Sequence, residues 1–181
     1  DIGSGKSYVA KKFGYPVFNA DHEVAKLYQL NKNIFNKLKI SLPKHIHSFP
    51  IKKKEISNAI LSNKNNLNKI VKIVHVEVRK RMNLFLRKNK NKKIVILDIP
   101  LLLENKINKK KDILVFVQSK KSEIIKRLKK RKNFNQKLLK KFKSIQYSTN
   151  YKKKKSDYII KNNFTKKSVN DDIRNILKEI T

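Results

Sequence analysis

The chain has 181 residues, no cysteine, and 47 lysines and arginines against 13 acidic residues, a formal net charge of +34. Such a length suits one domain with room for an insertion and a real core. The missing thiols exclude disulfides and thiolate metal sites and fit a reducing cytoplasm, and no apolar run reaches the ~20 residues that span a bilayer.

The chain opens with DIGSGKS, which places two of its three glycines, Gly3 and Gly5, beside Lys6 and Ser7. Glycine lets main-chain N–H groups approach a ligand closely and tolerates positive φ. A turn of such groups running into a helix is a concave anion site. Lysine adds a point charge for phosphate, and the serine after it is the residue type that ligates Mg²⁺ in such loops. The stretch fills the last seven positions of G-x-x-x-x-G-K-[ST]. The first glycine and the strand feeding the loop would precede Asp1, so the domain's first strand is expected to be missing from the chain as given. SYVAKKFG then reads as a helix stopping at Gly14.

Next, YPVFNAD is a short extended run ending in Asp21. From His22 to about Lys92 the chain reads helical and strongly charged, with loops near residues 39–50 and 61–66. Its clearest helix has Leu67, Ile70, Val71, Val74, Val78, Met82 and Phe85 on one face. KKIVILDIP is an apolar run typical of a strand covered on both faces, and DILVFVQ repeats it. SKKSEIIKRLKKR predicts a helix with Ser119 or Ser122 as its cap. SDYIIKNN predicts a last strand and SVNDDIRNILKEI a last helix. Strands alternating with helices predict a doubly wound α/β fold.

Three side chains outside the loop are candidates for chemistry. Asp21 closes an extended run at the edge where α/β sheets bind ligands; it reads either as a carboxylate orienting an acceptor hydroxyl or as the cap of the helix after it. Asp98 ends the strand KIVIL, facing either an acceptor or Mg²⁺, or capping the PLLLE turn. His75 lies on an apolar helix, where a lone histidine more often packs than reacts.

The charge does not single out nucleic acid as a partner. Only six of the basic residues are arginine and 41 are lysine, whereas bidentate phosphate and base recognition favours arginine. The lysines run the whole chain among asparagine and isoleucine, as expected of a coding bias at exposed positions. Nonspecific polyanion binding at low salt is the physical consequence.

GSGKS, NAD at 19–21, a histidine in a long helix, LDIPLLLE at 97–104, Gln146 and SDYIIKNN with Asp157 follow one another in an order that resembles the dephospho-coenzyme A kinase family over essentially the whole chain. The resemblance implies a P-loop NTPase-type parallel sheet with helices on both faces, a helical coenzyme-A-binding insertion at 22–92 and a basic lid at 128–146, all in one domain. It implies transfer of phosphate from ATP, with Mg²⁺, to the ribose 3′-hydroxyl of dephospho-coenzyme A. Carried over residue by residue, Gly3, Ser4, Gly5, Lys6, Ser7, Tyr8, Arg127, Arg131, Lys143 and Lys152 would bind nucleotide. Ser7 would also meet Mg²⁺, Lys6 and Asp21 would be catalytic, and Asp21, His75 and Asp98 would meet the acceptor. The chain departs from the family pattern at several places. Asn19 stands where the element begins with aspartate, Val76 where proline follows the histidine, Lys132 for an aspartate, Thr149 for an arginine of some members, and Tyr8 for a threonine. Another small-molecule kinase of this fold, such as a nucleoside monophosphate kinase, and a basic nucleic-acid-binding protein keeping a relic loop are the alternatives.

Overall fold

The structure, a computed structural model, describes residues 1–131 and 134–181. It falls into two compact units, one made of residues 1–17 and 100–181, the other of residues 18–99.

The first unit begins with the glycine loop running into helix α1 (Lys6–Lys12), which Gly14 closes at φ 77. Its sheet is a parallel pair, β3 (Val115–Gln118) and β4 (Tyr158–Lys161), in register from Val115 opposite Tyr158 to Gln118 opposite Lys161. Asp157 sets that register: its carboxylate accepts from the Leu114 N–H at 2.7 Å while its own N–H donates to the Leu114 carbonyl at 2.9 Å. Helices α6 (Lys121–Lys129), α7 (Gln136–Ser144), α8 (Thr149–Lys154) and α9 (Lys166–Ile180) complete the unit. Phe116, Val117 and Ile160 of the sheet and Ile124, Leu128, Val169, Ile173 and Ile176 of the helices are buried, the apolar positions that period-2 and period-3.6 spacing turn inward.

β1 (Val17–Asn19), which lies in the second unit from Phe18 onward, pairs with β2 (Ile96–Asp98) of that unit. Helices α2 (Ala20–Leu30), α3 (Lys32–Ser41), α4 (Lys53–Ser62) and α5 (Lys64–Lys88) lie between them in sequence. Leu67, Ile70 and Val74 of the predicted α5 face are buried, and Phe85 further along packs its ring on Phe18 at 5.6 Å between centroids. The loop expected near 39–50 is present, but the one expected at 61–66 shrinks to Asn63. Its side chain caps α5 by accepting from the Asn65 N–H, while Asn66 donates to the Ala59 carbonyl at 2.9 Å and ties the two helices together.

Asparagine is therefore not mere filler at exposed positions. Asn19, Asn31, Asn63 and Asn135 each accept a main-chain N–H at a helix start, the place where a short side-chain acceptor satisfies an orphan donor. Among the described residues no helix is long and apolar enough to cross a membrane.

Candidate active site

The loop is built from its two glycines outward. Gly3 has φ 83 and Gly5 φ 88, a region that costs a side-chain-bearing residue free energy. The conformation is not the whole reason for glycine: a Cβ on Gly5 would lie 2.3 Å from Asn162 Nδ2, and one on Gly3 3.0 Å from Leu128 Cγ. Between them Ser4 is buried, 1% exposed, and its carbonyl accepts from Asn162 Nδ2 at 2.8 Å and from the Ser119 hydroxyl at 3.0 Å. Two side chains standing just past the ends of β4 and β3 thus pin the loop's main chain. Lys6 bends back over the loop, its ammonium donating to the Asp1 carbonyl at 2.9 Å. Gly5 stands at the N-cap of α1 with no side-chain cap, and Ser7 and Tyr8 lie exposed in the first turn.

Ser119 is a correction to the sequence reading. Its hydroxyl serves the loop, while α6 starts from Lys120 without a side-chain cap, and Ser122 lies inside the first turn.

The expected nucleotide-side cations divide into two kinds. Arg127 and Arg131 line a shallow groove with Glu123, Lys126 and Lys130, and the Arg127 guanidinium stands 4.2 Å over the Phe164 ring. Phe164 has φ 65 and donates its N–H to Asn162 Oδ1 at 2.8 Å, so one asparagine side chain holds both the loop and the residue under Arg127. Lys143 is exposed in the last turn of α7. Lys152, expected to bind nucleotide, is buried, and its ammonium lies 2.9 Å from Glu104. Burial pushes the Glu104 carboxyl up, but the Lys152 hydrogen bond, the main-chain donors and the charge of Lys152 outweigh it, and the group titrates below the usual glutamate range. Glu104 also accepts from the Tyr147 N–H at 2.9 Å, and Thr149 donates to the Asp1 carboxylate at 3.3 Å. Lys132, the departure expected in the lid, lies outside the described residues.

In the second unit Asn19 ends β1 and caps α2, its Oδ1 accepting from the His22 N–H at 2.7 Å. Asp21 is therefore neither the end of a strand nor the cap: it lies exposed in the first turn of the helix. The other half of the Asn19 side chain donates to Asp98 Oδ2. Asp98 ends β2, buried at 6% exposure, with its carboxylate turned to Asn19 in place of a cap on the following turn. His75 is half-buried on α5; burial, and then the charge of Arg79, hold its pKa below the usual histidine value, so the ring is neutral at pH 7. Glu23 of α2 pairs with Arg81 of α5 at 2.9 Å, joining the start of one helix to the other.

Asn162, Ser119 and Glu104 are the residues that reasoning from sequence missed. The signal for the first two was position: a polar side chain directly after an apolar strand, where sheet ends meet ligand loops. Glu104 had only its place in LDIPLLLE.

A glycine loop with an inturned lysine, opening a helix on an α/β fold, defines a P-loop phosphotransferase. A family model described as dephospho-CoA kinase matches residues 1–168, and the chain belongs to that family. It is 31% identical to the dephospho-CoA kinase of the Wolbachia of Brugia malayi, over 99% of this chain and 94% of the relative. It is 32% identical to that of Wolbachia pipientis wMel over the same shares. Among solved structures, TT1252 from Thermus thermophilus superimposes with a TM-score of 0.77 at 24% identity, covering 100% of this chain and 94% of the other. A dephospho-CoA kinase from Campylobacter jejuni does so at 0.60 and 21%, covering 98% and 91%. The reaction is ATP-dependent phosphorylation of dephospho-CoA, a step of coenzyme A synthesis.

Proposed function

We propose that the two groups of residues divide the reaction, the glycine loop taking ATP and the carboxylates of the second unit taking the acceptor ribose. The observation that carries this reading is that Asp21 lies exposed in the first turn of α2 while the capping duty falls to Asn19. Helix capping therefore does not account for a carboxylate at this position, which supports its role toward the acceptor.

On the donor side, the main chain of Gly3, Ser4 and Gly5 cradles phosphate, and Lys6 exchanges its carbonyl partner for the β- and γ-phosphates. Ser7 and Tyr8 follow in the first turn. Arg127 and Arg131 neutralise charge on the transferring phosphoryl, where planar guanidinium groups grip bidentately. Lys143, in the lid at 128–146, is a further phosphate cation. Lys152 acts through Glu104, bracing the segment before β4.

Magnesium fits this donor set. Among the described residues no cluster of three carboxylates or histidines could hold a metal, and Mg²⁺ typically binds through a hydroxyl or one or two carboxylates together with substrate phosphates and waters. The Ser7 hydroxyl would hold it, and bound there it would neutralise charge on the β- and γ-phosphate oxygens.

On the acceptor side, the insertion at 22–92 binds dephospho-CoA. Asp21 accepts the proton of the ribose 3′-hydroxyl as its oxygen attacks the γ-phosphorus. The bond to the β,γ-bridging oxygen breaks, and ADP leaves. Asp98 orients the same ribose, and neutral His75 contacts the acceptor through uncharged hydrogen bonds. A cytoplasmic setting for the reaction is the one a chain without cysteine fits.

The test replaces dephospho-CoA with its 3′-deoxy analogue in an assay of ATP consumption. ADP is expected to form with dephospho-CoA and not with the analogue, which should still compete for binding. Equal ATP consumption with the analogue or with AMP would point to a different acceptor group.

A further inference from the structure

The Asn19 side chain uses both ends at once. Its Oδ1 takes the His22 N–H at 2.7 Å, fixing the first turn of α2 in which Asp21 stands, and its amide nitrogen donates to Asp98 Oδ2. It sits at the end of β1, and Asp98 at the end of β2, the strand paired with it. Few side chains meet this demand. An aspartate caps a helix as well as asparagine does but has no proton to donate while ionised. A serine caps too, yet is too short to bridge the roughly 4.8 Å between paired strands. The amide alone supplies a neutral acceptor on one side and a neutral donor on the other.

We propose that Asn19 is a positioning residue that sets the placement of Asp21 and Asp98 relative to each other, holding one through the helix it caps and the other through a direct hydrogen bond. The inference rests on the reading that these two carboxylates serve the acceptor. It turns a departure from the family's aspartate into a working part of this enzyme. Asp98 is buried, and a buried polar group needs a hydrogen-bond partner to hold it in place; the Asn19 amide supplies one without adding charge of its own.

Asn19→Ser separates the two duties, because serine keeps the cap and loses the reach. In the full-length enzyme the expected result is an unchanged melting temperature, an unchanged KM for ATP, and a kcat lower by about 10-fold to 10²-fold, the scale of a misplaced reacting group. Wild-type kcat in that variant would overturn the proposal. So would a large fall in melting temperature, which would make the Asp98 bond a structural tie. Asp21→Asn and Asp98→Asn are measured alongside. If both keep full turnover, the acceptor reading fails; if both lose it while Asn19→Ser does not, only the positioning role fails.

Discussion

Two asparagines in this molecule do similar work at different levels. Asn162, fully buried just past β4, grips main chain: the Ser4 carbonyl on one side and the Phe164 N–H on the other. Asn19, half-buried at the end of β1, grips a helix start and a side-chain carboxylate. A loop that binds phosphate with its backbone must be shaped through its backbone, so the tie is buried and its loss is felt as instability. On the proposed division of roles, carboxylates that act on a hydroxyl must be aimed, so that tie would govern geometry more than stability: the donor side would be held by structure, the acceptor side by orientation.

The contrast is broken most strongly at the loop. Lys6→Ala is expected to lower kcat/KM by about 10²–10³-fold or more, the loss seen when a donor to developing charge is removed, with a melting temperature within a few degrees of wild type; a coupled ADP assay and a thermal melt check both. Breaking the buried Lys152–Glu104 pair comes next. Lys152→Ala leaves an unpaired carboxylate and should cost about 3 kcal/mol by denaturant unfolding. The pair also has a sign in pH. Glu104 titrates low in the folded state, so its stabilisation is complete above the unfolded value of about 4.3 and is lost as pH falls from there through the folded value. Urea unfolding at pH 7 and at pH 3.5 should show this acid loss in the wild type and a smaller one in Lys152→Met. Asn162→Ala should cost about 1–3 kcal/mol by removing one of the two donors to the Ser4 carbonyl and the acceptor of the Phe164 N–H, and should raise KM for ATP together with the loss of stability, the coupling that Asn19→Ser lacks. Gly14→Ala is the smallest change: its φ is 77 with no atom near the added Cβ, so about 1 kcal/mol of backbone cost is expected and no change in turnover.

The loop was legible because its demands fall on the backbone, and glycine and lysine are rare enough in combination to mark them. The apolar strands and the buried face of α5 were legible from periodicity for the same reason: burial writes itself into hydropathy. Asp21 was found as a residue but misplaced, since a three-residue strand followed at once by a helix shows no composition break between Asn19 and Ala20. Ser119 was read as a cap because serine before a helix usually is one; a contact to Ser4, 115 residues away in sequence, leaves no local trace. Lys152 was marked only as a cation that would bind nucleotide, and nothing in the sequence set its environment apart from that of the other lysines. Its burial depends on Glu104, which lies in a different segment and carries no sign of its partner.

The most direct measurement compares nucleotide affinity and single-turnover rate in Asp21→Asn and Lys6→Ala at saturating dephospho-CoA. For Asp21→Asn the division of roles predicts ATP affinity close to wild type, unchanged stability because Asn19 caps the helix, and phosphoryl transfer slower by about 10²–10⁴-fold; for Lys6→Ala it predicts that affinity and rate fall together. An Asp21→Asn enzyme that transfers phosphate at the wild-type rate, or that loses ATP as Lys6→Ala does, would contradict it.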